Sequence, residues 1–203
     1  MNKSYTIAQV AVDPVIFTIK DKKLKVFLQI REKEPFKDKK ELPGGLLLQN
    51  ETAEETLNRK LKEILGYSEL FFNQFYTFTE PNRDPRSRTI SIGFITLINP
   101  EKIKNFKDWY DYNALKDIAF DHPKIIQKAR EFIKKQANHS LLKHIVPSKF
   151  PLNKLQEVYE TIEEKKYDNR NFRKKILSLE ILEETKQKEQ SVSHRPAKLF
   201  KFK

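Results

Sequence analysis

Apolar positions in the first part of the chain alternate or cluster in short bursts. Ala8, Val10 and Val12 alternate, and Val15, Ile16, Phe17 and Ile19 follow Pro14, so residues 5–19 read as strand. LKVFLQI, residues 24–30, is a second dense apolar strand, and the KDKK between them reads as a hairpin turn. Arg31 to Glu41 is charged and loop-like, and Leu42-Pro43-Gly44-Gly45 is a sharp turn. The period then changes to helical. Thr52 and Glu55 have capping-box spacing. Ala53, Leu57, Leu61, Ile64 and Leu65 form one stripe, which predicts that Ile64 is buried. Gly66 is placed to cap the helix C-terminus. Leu70 to Phe78 and Thr89 to Ile98 are β-branched and aromatic strands around the polar loop TEPNRDPRSR. Asp121-His122-Pro123 opens another helix, with proline near its first position, running to about Asn138. Ile125, Ala129, Phe132 and Ile133 mark its buried face.

From His139 the texture changes. LNKLQEVYETIEEK puts Leu152, Leu155, Tyr159 and Ile162 on one helical face. After a short break, NRNFRKKILSLEIL predicts a further helix with Phe172, Ile176 and Leu179 inward. A polar stretch from Glu184 leads to RPAKLFKFK, which reads as a strand. Helix, helix, turn, helix and hairpin is the order of a winged helix-turn-helix. The pattern therefore divides the chain into residues 1–138 and 139–203.

Composition changes the picture in three ways. The 203 residues carry a formal net charge of +12, which is compatible with a polyanionic partner or with a solvated lysine-rich surface. Cysteine is absent, which removes disulfides and thiolate metal sites and fits a reducing, cytoplasmic location. No apolar run approaches the length of a membrane span and the N-terminus shows no signal-peptide pattern, so no membrane partner is expected. The four histidines show no metal-ligand spacing, and neither a metal site nor a resident cofactor is expected.

GLLLQNETAEETLNRKLKEILGY, Gly45 to Tyr67, resembles a Nudix box, whose pattern is G-x5-E-x7-R-E-U-x-E-E-x-G-U with U bulky and apolar. Gly45, Glu51, Arg59, Leu61, Glu63, Gly66 and Tyr67 fall in register. The resemblance implies an α/β/α sandwich. It also implies that two metal-binding glutamate positions are taken by Lys60 and Ile64. A hard cation needs several oxygen ligands, and one carboxylate remains where the family uses three. No catalytic residue is therefore assigned, and Arg59 with Glu51 is expected to survive as a structural salt bridge.

FYTFTEPNRDPRSRTISIGFITLI (Phe75 to Ile98), FPLNKLQEVYETI, YDNRNFRKKI and RPAKLFKF together resemble the Nudix-related transcriptional regulators, in which a sensing Nudix domain is fused to a winged helix. One branch of that family represses NAD-biosynthesis genes in response to ADP-ribose; another responds to arabinose. Asp38, Lys40 and Ser193-His194 depart from the family pattern. The resemblance implies operator DNA and a small phosphorylated, ADP-ribose-like effector as partners. A homodimer is expected because palindromic operators mirror a protein two-fold. A pentose-responsive regulator and an active Nudix pyrophosphatase are the alternatives.

The residues themselves fit such partners. Arg83, Arg86 and Arg88 lie on one proline-stiffened loop, and guanidinium forks suit phosphate. Arg31 and Glu63 complete the candidate ligand set. Phe75, Tyr76 and Phe78 are aromatic candidates for stacking a base, although strand aromatics more often build core. With Phe172 and Ile176 inward, Arg170, Arg173 and Lys174 face outward, with Asn169 and Asn171 at the helix start. Arginine can read guanine and asparagine adenine in the major groove. Lys175 in this helix, and Arg195 and Lys198 in the tail, are candidate phosphate or wing contacts.

Overall fold

The computed structural model describes residues 5–66, 70–189 and 196–203; Tyr67, Ser193-His194 and the candidate Arg195 lie outside the described residues. A single strand, β1 (Gln9–Lys20), organises the first unit. It is buried without a break from Ala11 to Ile19 because both of its faces are covered. Alternation sends Val12 and Ile16 to one cluster with Leu57, Leu61, Phe94 and Trp109. It sends Val15, Phe17 and Ile19 to the other, with Ile95, Ile125, Ile126 and Ala129.

β1 turns into β2 (Lys23–Phe27) on Asp21-Lys22, whose φ values of 53° and 58° are those of a two-residue type I′ hairpin. The dense apolar run after it is split: β2 ends at Phe27, and β3 (Gln29–Ile30) pairs with β4 (Lys40–Glu41) across the charged loop. β5 (Gly45–Leu46) pairs with the first half of β1. Helix α1 (Ala53–Leu65) follows, then β6 (Phe72–Phe78), β7 (Thr89–Leu97) and β8 (Trp109–Asp111). Helix α2 (His122–Lys135) ends the unit, stopping short of Asn138. The sheet runs β6-β7-β1-β2-β8, with β5 on β1. β7 lies parallel to β1 from Gln9↔Thr89 to Phe17↔Leu97. α1 covers one face and α2 the other, which is the expected α/β/α sandwich.

α1 follows its local signals closely. Thr52 and Glu55 form the capping box, and Gly66 closes the helix in the left-handed conformation at φ 79°. Ile64 departs from expectation: it is only partly buried, at the margin of the stripe that Leu57 and Leu61 centre. On α2, Ile126 is fully buried while Phe132 is partly so, against the reading from spacing. Strand β8 is three residues long, too short to show a strand pattern of its own.

The second unit comprises α3 (His139–Leu142), β9 (Phe150–Pro151), α4 (Leu152–Glu163), α5 (Asn169–Ser178), β10 (Leu182–Lys188) and β11 (Lys198–Phe202). Its sheet runs β10-β11-β9, the wing of a winged helix-turn-helix. α5 is shorter than its apolar spacing implies. It stops at Ser178, Glu180 takes φ 53°, and Leu179 is left 50% exposed rather than inward. The polar LEETKQK after it is a wing strand, held by pairing to β11.

The two units share one apolar cluster, from Val15 and Ile125 through Ile145 and Val146 to Leu155, Phe172 and Phe200. At that junction His144 stacks on Phe71 with ring centroids 4.0 Å apart. Burial there pushes the imidazole pKa down to about 4. The folded chain thus favours neutral His144, whereas the unfolded chain protonates it near 6.5. Its contribution is present above pH 6.5 and should be lost as pH falls towards 4. Thermal melts from pH 7.5 to 4 should show this loss, and His144→Phe should flatten the slope; an unchanged slope would remove His144 from the account. Among the described residues, no helix is long and apolar enough to cross a membrane.

Candidate ligand crevice and nucleic-acid interface

The LPGG turn is pressed against β1. A Cβ at Gly44 would come within 2.2 Å of Asp13 Oδ1 and 2.7 Å of the Val12 carbonyl, so only glycine lets the turn approach this closely. Leu42 donates its N–H to His122 Nδ1 at 2.9 Å, tying the same turn to the start of α2. That bond requires Nδ1 to be unprotonated, and burial lowers the His122 pKa in agreement. Around this turn lies a crevice of ≈ 230 Å³, whose walls include Asp13, Arg31, Glu41, Arg83, Arg86 and Phe120.

Three of the five candidate ligand residues meet there. Arg31 pairs with Glu41 at 2.8 Å and sits 4.7 Å from the Phe120 ring. Arg86, 5.1 Å from the same ring, pairs with Asp84 and keeps its side chain 52% exposed. Burial would raise the Asp84 pKa, but the Arg86 hydrogen bond, the Arg86 N–H and nearby charge outweigh it, so the carboxyl sits below its usual range. Arg83 is different. Its fork takes both oxygens of Asp121, at 2.9 and 2.8 Å, and reaches Asp13 at 3.2 Å, the three side chains being only 5%, 11% and 7% exposed. It is a wall, with its charge already matched.

Arg88 does not line the crevice; it donates to the Thr79 and Glu80 carbonyls and so braces its own hairpin. Glu63 also lies outside the crevice lining, on α1, paired with Lys60 at 2.6 Å and Arg59 at 3.4 Å. Glu51 accepts Arg59 at 2.7 and 2.8 Å, Thr56 Oγ1 at 2.9 Å and the Leu48 N–H, and the Arg59 fork foremost holds its pKa down to about 2. The Arg59–Glu51 brace is therefore present as expected. Magnesium, which a Nudix box implies, does not suit this donor set. Lys60 and Ile64 stand on α1 where the box supplies carboxylates, and both remaining glutamates are held by cations. Among the described residues no group of three His, Cys, Asp or Glu side chains is gathered to hold a metal ion.

Asp13, Phe120 and His122 carry no local sequence signal for a place in this crevice. Phe120 has φ 54°, a backbone state that bulky residues rarely adopt and that tends to occur at functional sites. Its ring packs edge-on against Phe36, with centroids 4.8 Å apart. Phe120 and Arg83 also line a second cavity of ≈ 820 Å³ that includes Tyr76, Phe78 and Lys128. Tyr76, one of the stacking candidates, is 46% exposed there, whereas Phe78 is core.

In the second unit the turn between α4 and α5 is built on two side chains that periodicity did not single out. Buried Gln156 donates to the Tyr167 carbonyl, Glu160 and Asn169 Oδ1. Glu160 in turn accepts Lys166 and the Tyr167 N–H, and with Gln156 these bring its pKa to about 2. Asp168 caps α5 by accepting the Asn171 N–H. Phe172 and Ile176 face inward, and Asn169, Arg170, Asn171, Arg173, Lys174 and Lys175 are all exposed. Asn169 spends its carbonyl on Gln156. Among the described residues Arg170, Arg173, Lys174 and Lys175 have no carboxylate partner, which leaves a basic helix face open to an anion. Lys198 is on the wing and paired with Glu184 at 2.7 Å.

Residues 9–133 match the NUDIX domain family, and residues 142–202 match the NrtR DNA-binding winged helix domain. The chain belongs to the Nudix family. Within it, this Nudix protein is similar along 98% of its length to the ADPR responsive transcriptional repressor NtrR of Acinetobacter baylyi, at 29% identity and over 83% of that protein. It is 37% identical to the ADP-ribose pyrophosphatase of Methanocaldococcus jannaschii over 61% of this chain and 73% of that one. Among solved structures, Shewanella oneidensis NrtR complexed with a 27mer DNA superposes with a TM-score of 0.85 at 29% identity, covering 96% of this chain and 93% of that one. The Nudix sandwich and the winged helix thus occur together in relatives across almost the whole chain.

Proposed function

We propose that this Nudix protein is a DNA-binding transcriptional repressor that responds to ADP-ribose. The observation that carries the reading is the near-full-length likeness to an NrtR structure solved on DNA. The A. baylyi relative is named for ADP-ribose response, and the archaeal relative for ADP-ribose hydrolysis, so both name the same small molecule. In this reading the units divide at about residue 138 and the chain works as a homodimer on operator DNA of NAD-metabolism genes. Arg31 and Arg86 grip the effector's diphosphate, Arg83 shapes the wall between the two cavities, and α1 carries no hydrolytic centre. Arg170, Arg173, Lys174 and Asn171 form the open face of the recognition helix, with Lys175 beside it.

The test is a binding titration on a duplex selected from a random pool by this chain, with and without saturating ADP-ribose. ADP-ribose is expected to weaken DNA binding about 5–150-fold. Arg173→Ala should cost about 1–3 kcal/mol, concentrated at one base position if the guanidinium reads a guanine. Affinity should also fall steeply with salt as counterions are released. Equal affinity with and without ADP-ribose would sink the effector assignment, and a flat salt dependence would sink the DNA surface.

A further inference from the structure

Helix α2 is anchored at both ends, and the two anchors belong to different units. At its start, Asp121 holds the Arg83 fork, and His122 accepts the Leu42 N–H of the LPGG turn. The crevice wall is therefore attached to the first turn of α2. In its second half, Arg130 Nη2 donates to the Thr161 carbonyl of α4 at 3.2 Å and lies 3.3 Å from Glu164 Oε1. Lys134 reaches the other oxygen of the same carboxylate at 2.6 Å. Glu164 is the C-cap of α4, in the left-handed conformation at φ 55°, and opens the turn that leads to the recognition helix. Two cations thus sit on the carboxylate and the C-terminal carbonyl end of α4, the pole of a helix that favours positive charge. Over its 14 residues α2 spans about 21 Å as one uninterrupted helix.

We infer that Arg130 and Lys134, closed on Glu164, form a latch through which α2 transmits occupancy of the crevice to the helix-turn-helix. The inference rests on the effector reading above and deepens it. A ligand that draws Arg86 or Arg31 inwards reshapes the wall at Arg83 and His122; His122 begins α2, and Arg83 is held by its N-cap Asp121. Displacement of that end moves the far end against α4. The apolar contacts between the units are not directional, but the latch is, because a guanidinium and an ammonium must meet one carboxylate and one carbonyl. Arg130 is 5% exposed, yet its Nη1 is buried without a hydrogen-bond partner among the described residues. A buried donor left unsatisfied costs free energy in this arrangement, which narrows the gap to another that would satisfy it.

Reciprocity gives the test its sign. If effector and DNA favour opposite arrangements, loosening the latch shifts the population one way, so one affinity rises while the other falls. The full-length chain, Arg130→Met and Lys134→Ala are titrated separately with ADP-ribose and with the pool-selected duplex, and then with both. Arg130→Met retains the buried stem, and Lys134→Ala removes an exposed partner should Arg130→Met fail to fold. The expected result is opposite shifts of the two single-ligand affinities, each by up to the wild-type coupling factor of about 5–150. A smaller shift of the same pattern is expected for Lys134→Ala. A merely structural contact would weaken both affinities or neither, and either outcome overturns the latch. Wild type without coupling would defeat the effector reading and the latch together; wild-type coupling unaltered in both variants would defeat the latch alone.

Discussion

Incubated with magnesium and ADP-ribose, the chain should release AMP at least about a thousandfold more slowly than the roughly 10 per second of a median enzyme. Phosphoryl chemistry of this class needs divalent cations held by several oxygens against the diphosphate. On α1 the relevant positions carry Lys60, Glu63 and Ile64. Lys60 lays its stem across Gly45, 3.1 Å from where a Cβ would stand, and directs its ammonium to Glu63. The one carboxylate that could begin a site is thus neutralised by the residue that replaced its neighbour. Glu51 is equally occupied by Arg59 and Thr56. Lys60→Glu with Ile64→Glu restores the charge pattern, and because Ile64 is only partly buried the double variant should fold. A measured wild-type turnover near 1 per second would overturn the sensor reading.

Much of this was legible because it is local. A capping box, a stripe at helical period and a C-cap glycine define α1 within fifteen consecutive positions, Thr52 to Gly66. The same holds for Phe172 and Ile176 on α5 and for the Asp21-Lys22 hairpin. What was not legible is either non-local or patternless. LEETKQK is exposed on most of its length, so it shows no alternation, and it becomes a strand because β11 lies beside it. Leu179 fits the helical period but lies past the last turn, where Glu180 takes a left-handed backbone. Asp13 stands inside an apolar run, and its partners Arg83 and Ser91 are 70 and 78 residues away. The arginine loop was legible as a cluster of guanidiniums, but not which guanidinium is spent on carboxylates.

That distinction yields the second large effect. Arg83→Met should destabilise the chain by about 3–5 kcal/mol, because it leaves the buried Asp13 and Asp121 carboxylates without their shared cation. Against a typical total of about 5–15 kcal/mol, that loss brings the fold close to its limit. Arg86→Ala should cost less, about 1–3 kcal/mol, since the arginine is half exposed and Asp84, whose side chain is only 9% exposed, keeps the backbone N–H of residue 86. Binding should reverse the order. Arg86→Ala is expected to lose ADP-ribose while keeping ligand-free DNA affinity, whereas the folded fraction of Arg83→Met should retain its Arg86 contact. Urea denaturation and calorimetric titration read the two effects separately. If Arg83→Met were as stable as wild type, the three-residue network would not be structural. If Arg86→Ala bound ADP-ribose unchanged, the crevice assignment would fall. The network reading carries one more consequence: adding Asp13→Asn and Asp121→Asn to Arg83→Met should recover part of the loss. Replacing a whole buried ionic group is far cheaper than orphaning one side of it.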